Sequence, residues 1–132
     1  MYQPGTKLKI VDNSGGVWCR VIKVYKNKKY GVLGDVCLVS ITRNIAHSKF
    51  RKGNLSKAIV IRSNRGSSYL KDKGKLMWYN LKWDNSRCML VKLNVKGQEL
   101  VPLGSRVKGP MSNYLRYRSG VQKLLSLSKR SL

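Results

Sequence analysis

Side chains that exchange a proton near neutral pH are few in this chain, and they do not stand together. Asp12, Asp35, Asp72, Asp84 and Glu99 are its only side-chain carboxylates, and no two share a context suited to acid–base work. His47 is the sole histidine; it lies in a basic stretch with no motif to orient it toward a nucleophile. Cys19, Cys37 and Cys88 are odd in number, widely spaced and without a CxxC pair, which argues against a disulfide framework and a zinc site alike. Set among Val, Leu, Ile and Met, each cysteine is expected as a small buried apolar residue in a reducing compartment. GxxxxGK[ST] and GxGxxG are both absent. No catalytic residue, metal ligand or cofactor is expected, and the chain does not read as an enzyme.

The chemistry it does offer is neutralisation of negative charge. Twenty-eight Lys and Arg face five Asp and Glu, a net +23. Soluble surfaces normally mix signs, so an excess of this size points to a polyanionic partner. No run nears the ~18 apolar residues of a spanning helix, and no basic amphipathic helix dominates, so nucleic acid is favoured over a membrane. Arg43 to Lys75 holds ten Lys or Arg and one acid, Asp72; Arg106 to Arg130 holds seven and none. Arg bridges two phosphate oxygens, while Lys acts as a mobile point charge. Tyr25, Tyr30, Phe50, Tyr69, Trp78, Tyr79 and Trp83 fall in or beside basic stretches. Their faces suit unpaired bases, but most are expected to pack as core or lid.

The elements that must carry these cations are mainly β. Leu8 to Val24 reads as strand, turn, strand. Asp12, Asn13 and Ser14 hydrogen-bond locally, and Gly15 and Gly16 supply the positive φ of a reversal. The second strand mixes Arg20 and Lys23 with apolar residues, so its outer face is cationic. Residues 26–29 make a polar turn. Tyr30 to Ile41 reads as a strand in which Gly31 and Gly34 mark bulges or close backbone approach. Thr42 to Gly53 reads as a basic loop, and Asn54 to Ser63 as a buried strand centred on Ala58–Ile61. Asn64 to Lys75 is expected to project, and Leu76 to Trp83 to form an aromatic strand or ribbon. In Arg87 to Val95, Met89, Val91, Leu93 and Val95 face one way and Lys92, Asn94 and Lys96 the other. A turn at 96–98 leads to a short partner run, Glu99 to Leu103. After Gly109-Pro110, Ser112 is placed to cap a short helix through Tyr114, Leu115 and Tyr117, and Val121 to Leu127 is a second apolar patch.

The fold expected is a small five-stranded β-barrel with projecting basic loops and short C-terminal helices. It is read as one domain over 1–132, with barrel and loops to about 109 and a helical extension over about 110–132. Strand-forming residues begin near Leu8, so no detachable presequence is expected.

The run Leu8-Lys9-Ile10-Val11-Asp12-Asn13-Ser14-Gly15 resembles the N-terminal signature of the universal L-fourteen family of large-subunit ribosomal proteins. The likeness continues in Cys19 to Val24, in Val32 to Ile41 with Gly34-Asp35, in Lys49-Phe50-Arg51-Lys52-Gly53 and in Lys57 to Arg62. It resumes in Gly104-Ser105-Arg106-Val107-Lys108-Gly109-Pro110 and in Lys123 to Leu127. These blocks are collinear and span nearly the whole chain. The resemblance implies a barrel bound to large-subunit ribosomal RNA at the subunit interface. It also implies contact with the L-nineteen family protein and with small-subunit ribosomal RNA, and docking by a silencing factor in some members. Arg20, Lys23, Lys49, Arg51, Lys52, Arg62, Arg106 and Lys108 are the RNA contacts it implies. Ser112, Tyr114, Leu115, Arg116 and Arg118 fall on its helical protein-docking surface. Between Arg62 and Cys88 the chain departs from the family pattern, and no site is assigned there. Ala46 replaces a proline of the bacterial pattern, and Trp, Tyr, Cys and Ser are more frequent than in bacterial members. The chain therefore resembles a mitochondrial version, placed on the mitochondrial ribosome at the matrix side; bacterial cytoplasm or another organelle is the alternative.

A non-ribosomal RNA-binding barrel, either a regulator or a single-strand binder, shares the charge and the strands. A nuclease is disfavoured by the dispersed carboxylates. Binding driven by displaced counterions weakens along a steep line of log affinity against log salt. That slope is expected for large-subunit RNA fragments in a filter-binding titration; a flat plot contradicts the electrostatic account.

Overall fold

In the computed structural model the described residues are 2–64, 70–72, 75–77, 83–94, 96, 99–118 and 120–130. The strands are β1 (Lys7–Ile10), β2 (Gly16–Val24), β3 (Val36–Asn44), β4 (Leu55–Arg62), β5 (Leu70–Asp72), β6 (Lys75–Met77), β7 (Arg87–Leu93) and β8 (Leu100–Pro102). A 3-10 turn follows at Asn113–Tyr117, then the short helix α1 at Gln122–Ser126.

Antiparallel pairing runs β1-β2-β3-β4-β7, and β1 returns to pair with β7 in parallel, Lys9 opposite Arg87 and Ile10 opposite Cys88. The sheet thereby closes into a five-stranded barrel, which removes the open edges of a flat sheet. β8 is an extra strand on the same edge of β7, further along, with Lys92 opposite Val101. β5 and β6 pair as a separate ribbon, Lys71 opposite Leu76.

Period-two alternation explains most of β1 to β3; a bulge between Val21 and Lys23 shifts the phase of β2, and Arg43 is exposed although it shares the parity of Val39 and Ile41. Leu8, Ile10, Cys19, Val21, Val24, Cys37, Val39 and Ile41 fill the barrel, while Lys7, Arg20, Lys23 and Arg43 face out. β4 and β7 obey a different rule, because both of their faces are covered. Ala58, Val60, Cys88 and Leu90 point into the barrel. Ile59, Ile61, Met89 and Val91 point the other way, into a second core with Val107, Met111, Leu115, Val121 and Leu124. A strand buried on both faces reads as an unbroken apolar run. The three cysteines are free and buried. Burial pushes the Cys37 thiol up to about 12, and a hydrogen bond with Cys19, then burial, raises that of Cys88. Both are held as unreactive thiols.

Several boundaries differ from expectation. The third strand starts at Val36, not Tyr30. Gly34 has φ +86° and Gly31 lies under the Tyr2 ring, where a Cβ would come within 2.2 Å of Tyr2 Cζ. Residues 31–35 therefore turn, with close approach at Gly31 as foreseen. β3 continues to Asn44, so Thr42 and Arg43 belong to the strand and the basic loop is 45–54. Only Gly15 of the glycine pair has positive φ, +112°; Gly16 starts β2. Leu93 keeps the register of Met89 and Val91 but is exposed, beyond the end of the second core. Ser112 occupies the cap position of the 3-10 turn but its hydroxyl makes no capping bond. Trp78, Tyr79, Tyr69, Arg65, Lys73 and most of the aromatic run before Trp83 lie outside the described residues.

Leu115 is 1% exposed in the second core. Leu115→Ala is expected to lower stability in urea unfolding by about 2–5 kcal/mol; a loss below about 0.5 kcal/mol, as at a surface site, would mean the C-terminal segment is not packed on the barrel.

Candidate nucleic-acid interface

The turn between β1 and β2 fills a gap in the sheet. β1 accompanies β7 only as far as Cys88, and β8 begins only at Val91. Leu90 between them would have an unpaired N–H on that edge. Its N–H donates to Asp12 Oδ2 at 2.9 Å, and its carbonyl accepts from Leu103 N–H at 3.1 Å. The other Asp12 oxygen accepts the Ser14 N–H at 3.2 Å and the Ser14 hydroxyl. Burial raises the Asp12 carboxyl above its ordinary value, against the pull of these donors.

Asn13 fastens one basic loop. Its Oδ1 accepts the N–H groups of Ser105 at 2.7 Å and Arg106 at 3.0 Å, and its Nδ2 donates to Ser105 Oγ at 2.9 Å. Lys108 N–H donates to the Val11 carbonyl at 2.9 Å. No side chain fits at Gly104, where a Cβ would stand 2.7 Å from Asn13 Oδ1. Gly15 fastens the other loop. Its carbonyl accepts Ile45 N–H at 2.8 Å, and a Cβ on it would meet Ser48 Cβ at 2.5 Å. Ser48 in turn donates to the Phe50 carbonyl at 2.7 Å, and Phe50 packs against the barrel core.

Lys49, Arg51 and Lys52 on loop 45–54, with Arg106 and Lys108 on loop 103–108, are exposed and flank this one turn. Arg20 and Lys23 lie elsewhere, on the outer wall of β2. That wall carries further cations the sequence reading did not single out as contacts: Lys7 opposite Arg20, and Lys9 and Arg43 both opposite Trp18. Alternation along β1 was the signal for Lys7 and Lys9; Arg43 shares the parity of the buried Val39 and Ile41, and only its pairing opposite Trp18 shows where it lies. Trp18 was also passed over, because it stands inside an apolar strand run; it is 38% exposed.

Arg62 is occupied within the protein. Its Nε donates to the Pro110 carbonyl at 2.8 Å, and its NH2 group donates to the Lys108 carbonyl. The guanidinium also lies over the Trp83 ring, 5.7 Å from the centroid. Burial, then the charge of Arg87, lowers its pKa. Arg62 thus holds the 108–110 segment in place from beneath.

Of the five positions on the helical stretch, Ser112 and Leu115 are buried, and Tyr114 packs against the barrel core. Arg118 is drawn inward to Asp35 at 3.1 Å. Arg116 is the exposed one. Asp35 also binds Lys28 at 3.1 Å and accepts Val32 N–H at 3.0 Å. Asp12 and Asp35 are thus structural fasteners. Among the described residues no three His, Cys, Asp or Glu side chains gather where a metal ion would be held.

Asp12→Ala leaves the Leu90 N–H unpaired and is expected to cost about 1–3 kcal/mol; Asp12→Asn keeps an acceptor there and should cost less. The folded-state value of Asp12 is raised, so wild type gains stability as pH falls through it, and Asp12→Asn lacks that gain. Relative to wild type, Asp12→Asn should therefore look best at neutral pH and lose ground in acid, as followed by urea unfolding across the carboxylate range.

The family model for ribosomal protein L14p/L23e matches residues 1–132, the whole chain.

Proposed function

The chain belongs to the ribosomal protein L14p/L23e family, and on that premise we propose that it binds large-subunit ribosomal RNA through two turn-anchored basic loops and lies at the subunit interface. Membership itself carries a structural role in the large ribosomal subunit, in a family that is generally non-enzymatic. The observation that carries the finer reading is the seating of Lys49, Arg51, Lys52, Arg106 and Lys108 around one rigid turn. Cations already held in register lose little freedom on binding, and each phosphate they meet releases condensed counterions. Backbone and shape recognition would then dominate over base readout. Arg20 and Lys23 extend the proposed contact along the β2 wall, and Arg62 serves it by holding the Lys108 segment.

The proposed partners beyond that RNA are the L-nineteen family protein, small-subunit ribosomal RNA across the interface and a silencing factor. Contacts to protein on the helical stretch fall first to Arg116, since Ser112 and Leu115 are buried. We take residues 1–132 to fold as one unit, and the particle to be a mitochondrial ribosome; free buried cysteines and the Trp- and Tyr-rich composition support that compartment.

Reversing Arg51 and Lys52 together to Glu should leave thermal unfolding unchanged and weaken incorporation into large subunits through a high-salt gradient. Each lost charge-assisted contact is worth about 1.5–3 kcal/mol, so the loss should exceed tenfold. Unchanged incorporation removes loop 45–54 from the interface.

A further inference from the structure

On the barrel wall away from the two loops, a cavity of about 330 Å³ opens over β1. Trp18 and Tyr30 line it together with Lys7 and the amide side chains of Gln3, Asn64 and Asn85. Trp18 is 38% and Tyr30 54% exposed. Large aromatics left open to water on a cationic surface call for an explanation that a scattered exposed leucine does not. Lys9 carries its ammonium over the Trp18 ring, 6.0 Å from the centroid. One wall is tied, as Ser86 Oγ donates to Asn64 Oδ1 at 3.0 Å. The pocket therefore has a shape before anything enters it.

We propose that this cavity seats one unpaired RNA nucleotide, its base stacked on Trp18 and its edge met by the surrounding amides. The inference rests on the RNA-binding reading above and names a subsite within it. Size selects the occupant: the volume is near the lower end of the roughly 300–1,000 Å³ of small-ligand sites, room for one nucleotide and too little for a stacked duplex. Chemistry agrees. Amides both donate and accept, as a base edge requires, and no carboxylate is present among the described lining residues. Beyond Tyr30 and Gln3, which line both, a second hollow of about 480 Å³ carries Lys23 and Lys29. These cations are placed for the phosphate of the next nucleotide. Single-stranded loops and bulges are where RNA offers splayed bases to aromatic side chains.

The test uses the full chain and two RNAs: a large-subunit stem-loop with unpaired loop bases, and the same strand annealed to its complement. Wild type should prefer the stem-loop. Trp18→Leu should weaken stem-loop binding by about 5- to 150-fold, the loss of one base–aromatic stack, and leave duplex binding unchanged; Trp18→Tyr should restore the preference. In parallel, 4-thiouridine in the loop should photo-cross-link wild type at Trp18 or Tyr30. Equal stem-loop affinity in Trp18→Leu and wild type overturns the subsite. So does a wild-type cross-link map without positions 18 and 30, whatever the folding of the variant. If salt-dependent binding persists in either case, the ribosomal reading stands without the pocket. Wild type that binds neither RNA overturns both.

Discussion

Two adjacent side chains, Asp12 and Asn13, settle where this molecule's positive charge can stand. Asp12 occupies the single step on β7 that neither β1 nor β8 reaches, taking the Leu90 N–H that would otherwise be buried and unpaired. Asn13, one residue on, takes two backbone amides of loop 103–108. Gly15 then lets loop 45–54 lie against the same turn. Barrel closure and the placing of both basic loops are thus one set of hydrogen bonds, made almost wholly to backbone. The short polar signature Asp12-Asn13-Ser14 thus serves closure of the sheet and anchoring of the loops.

Charge imposes the complementary constraint. With five acids for twenty-eight cations, ion pairing cannot hold the surface together, and two of the carboxylates, Asp12 and Asp35, are buried. Asp12 patches the sheet. Asp35 gathers Lys28, Arg118 and the 31–35 turn at the other end of the barrel. Glu99 pairs with Lys123, joining the base of β8 to α1. Cohesion comes from the barrel interior and the second core beneath the C-terminal segments. The remaining like charges repel one another in the free chain, and a folded polyanion relieves that repulsion.

Much of the fold was legible because alternation and turn chemistry largely agreed along β1 to β3 and the unbroken apolar run of β4 marked a strand covered on both faces. The basic loops could be found by charge alone, as Lys49, Arg51, Lys52, Arg106 and Lys108 sit in stretches without acids. Other features needed the third dimension. Leu93 looks like a continuation of Met89 and Val91, but the second core ends before it reaches that position. Arg62 looks like any strand-end cation, and only the return of residues 108–110 over the barrel shows its guanidinium bound to carbonyls. Gly31 and Gly34 sit in an apolar run that reads as strand; the Tyr2 ring and the Asp35 carboxylate, distant in sequence or paired out of register, make it a turn. Trp18 escaped notice because an apolar residue in an apolar run draws no attention, although alternation with the buried Cys19 and Val21 places it outward on the face of Arg20 and Lys9.

Loops 45–54 and 103–108 are proposed to meet ribosomal RNA as one surface. Amine-reactive labelling read residue by residue by mass spectrometry, on the free chain and on large subunits containing it, tests this directly. Lys49, Lys52 and Lys108 should all be reactive in the free chain and should lose reactivity together in the particle. If they stay as reactive in the subunit as in the free chain, or if one loop is protected while the other remains open, the two loops do not form a shared RNA-binding face.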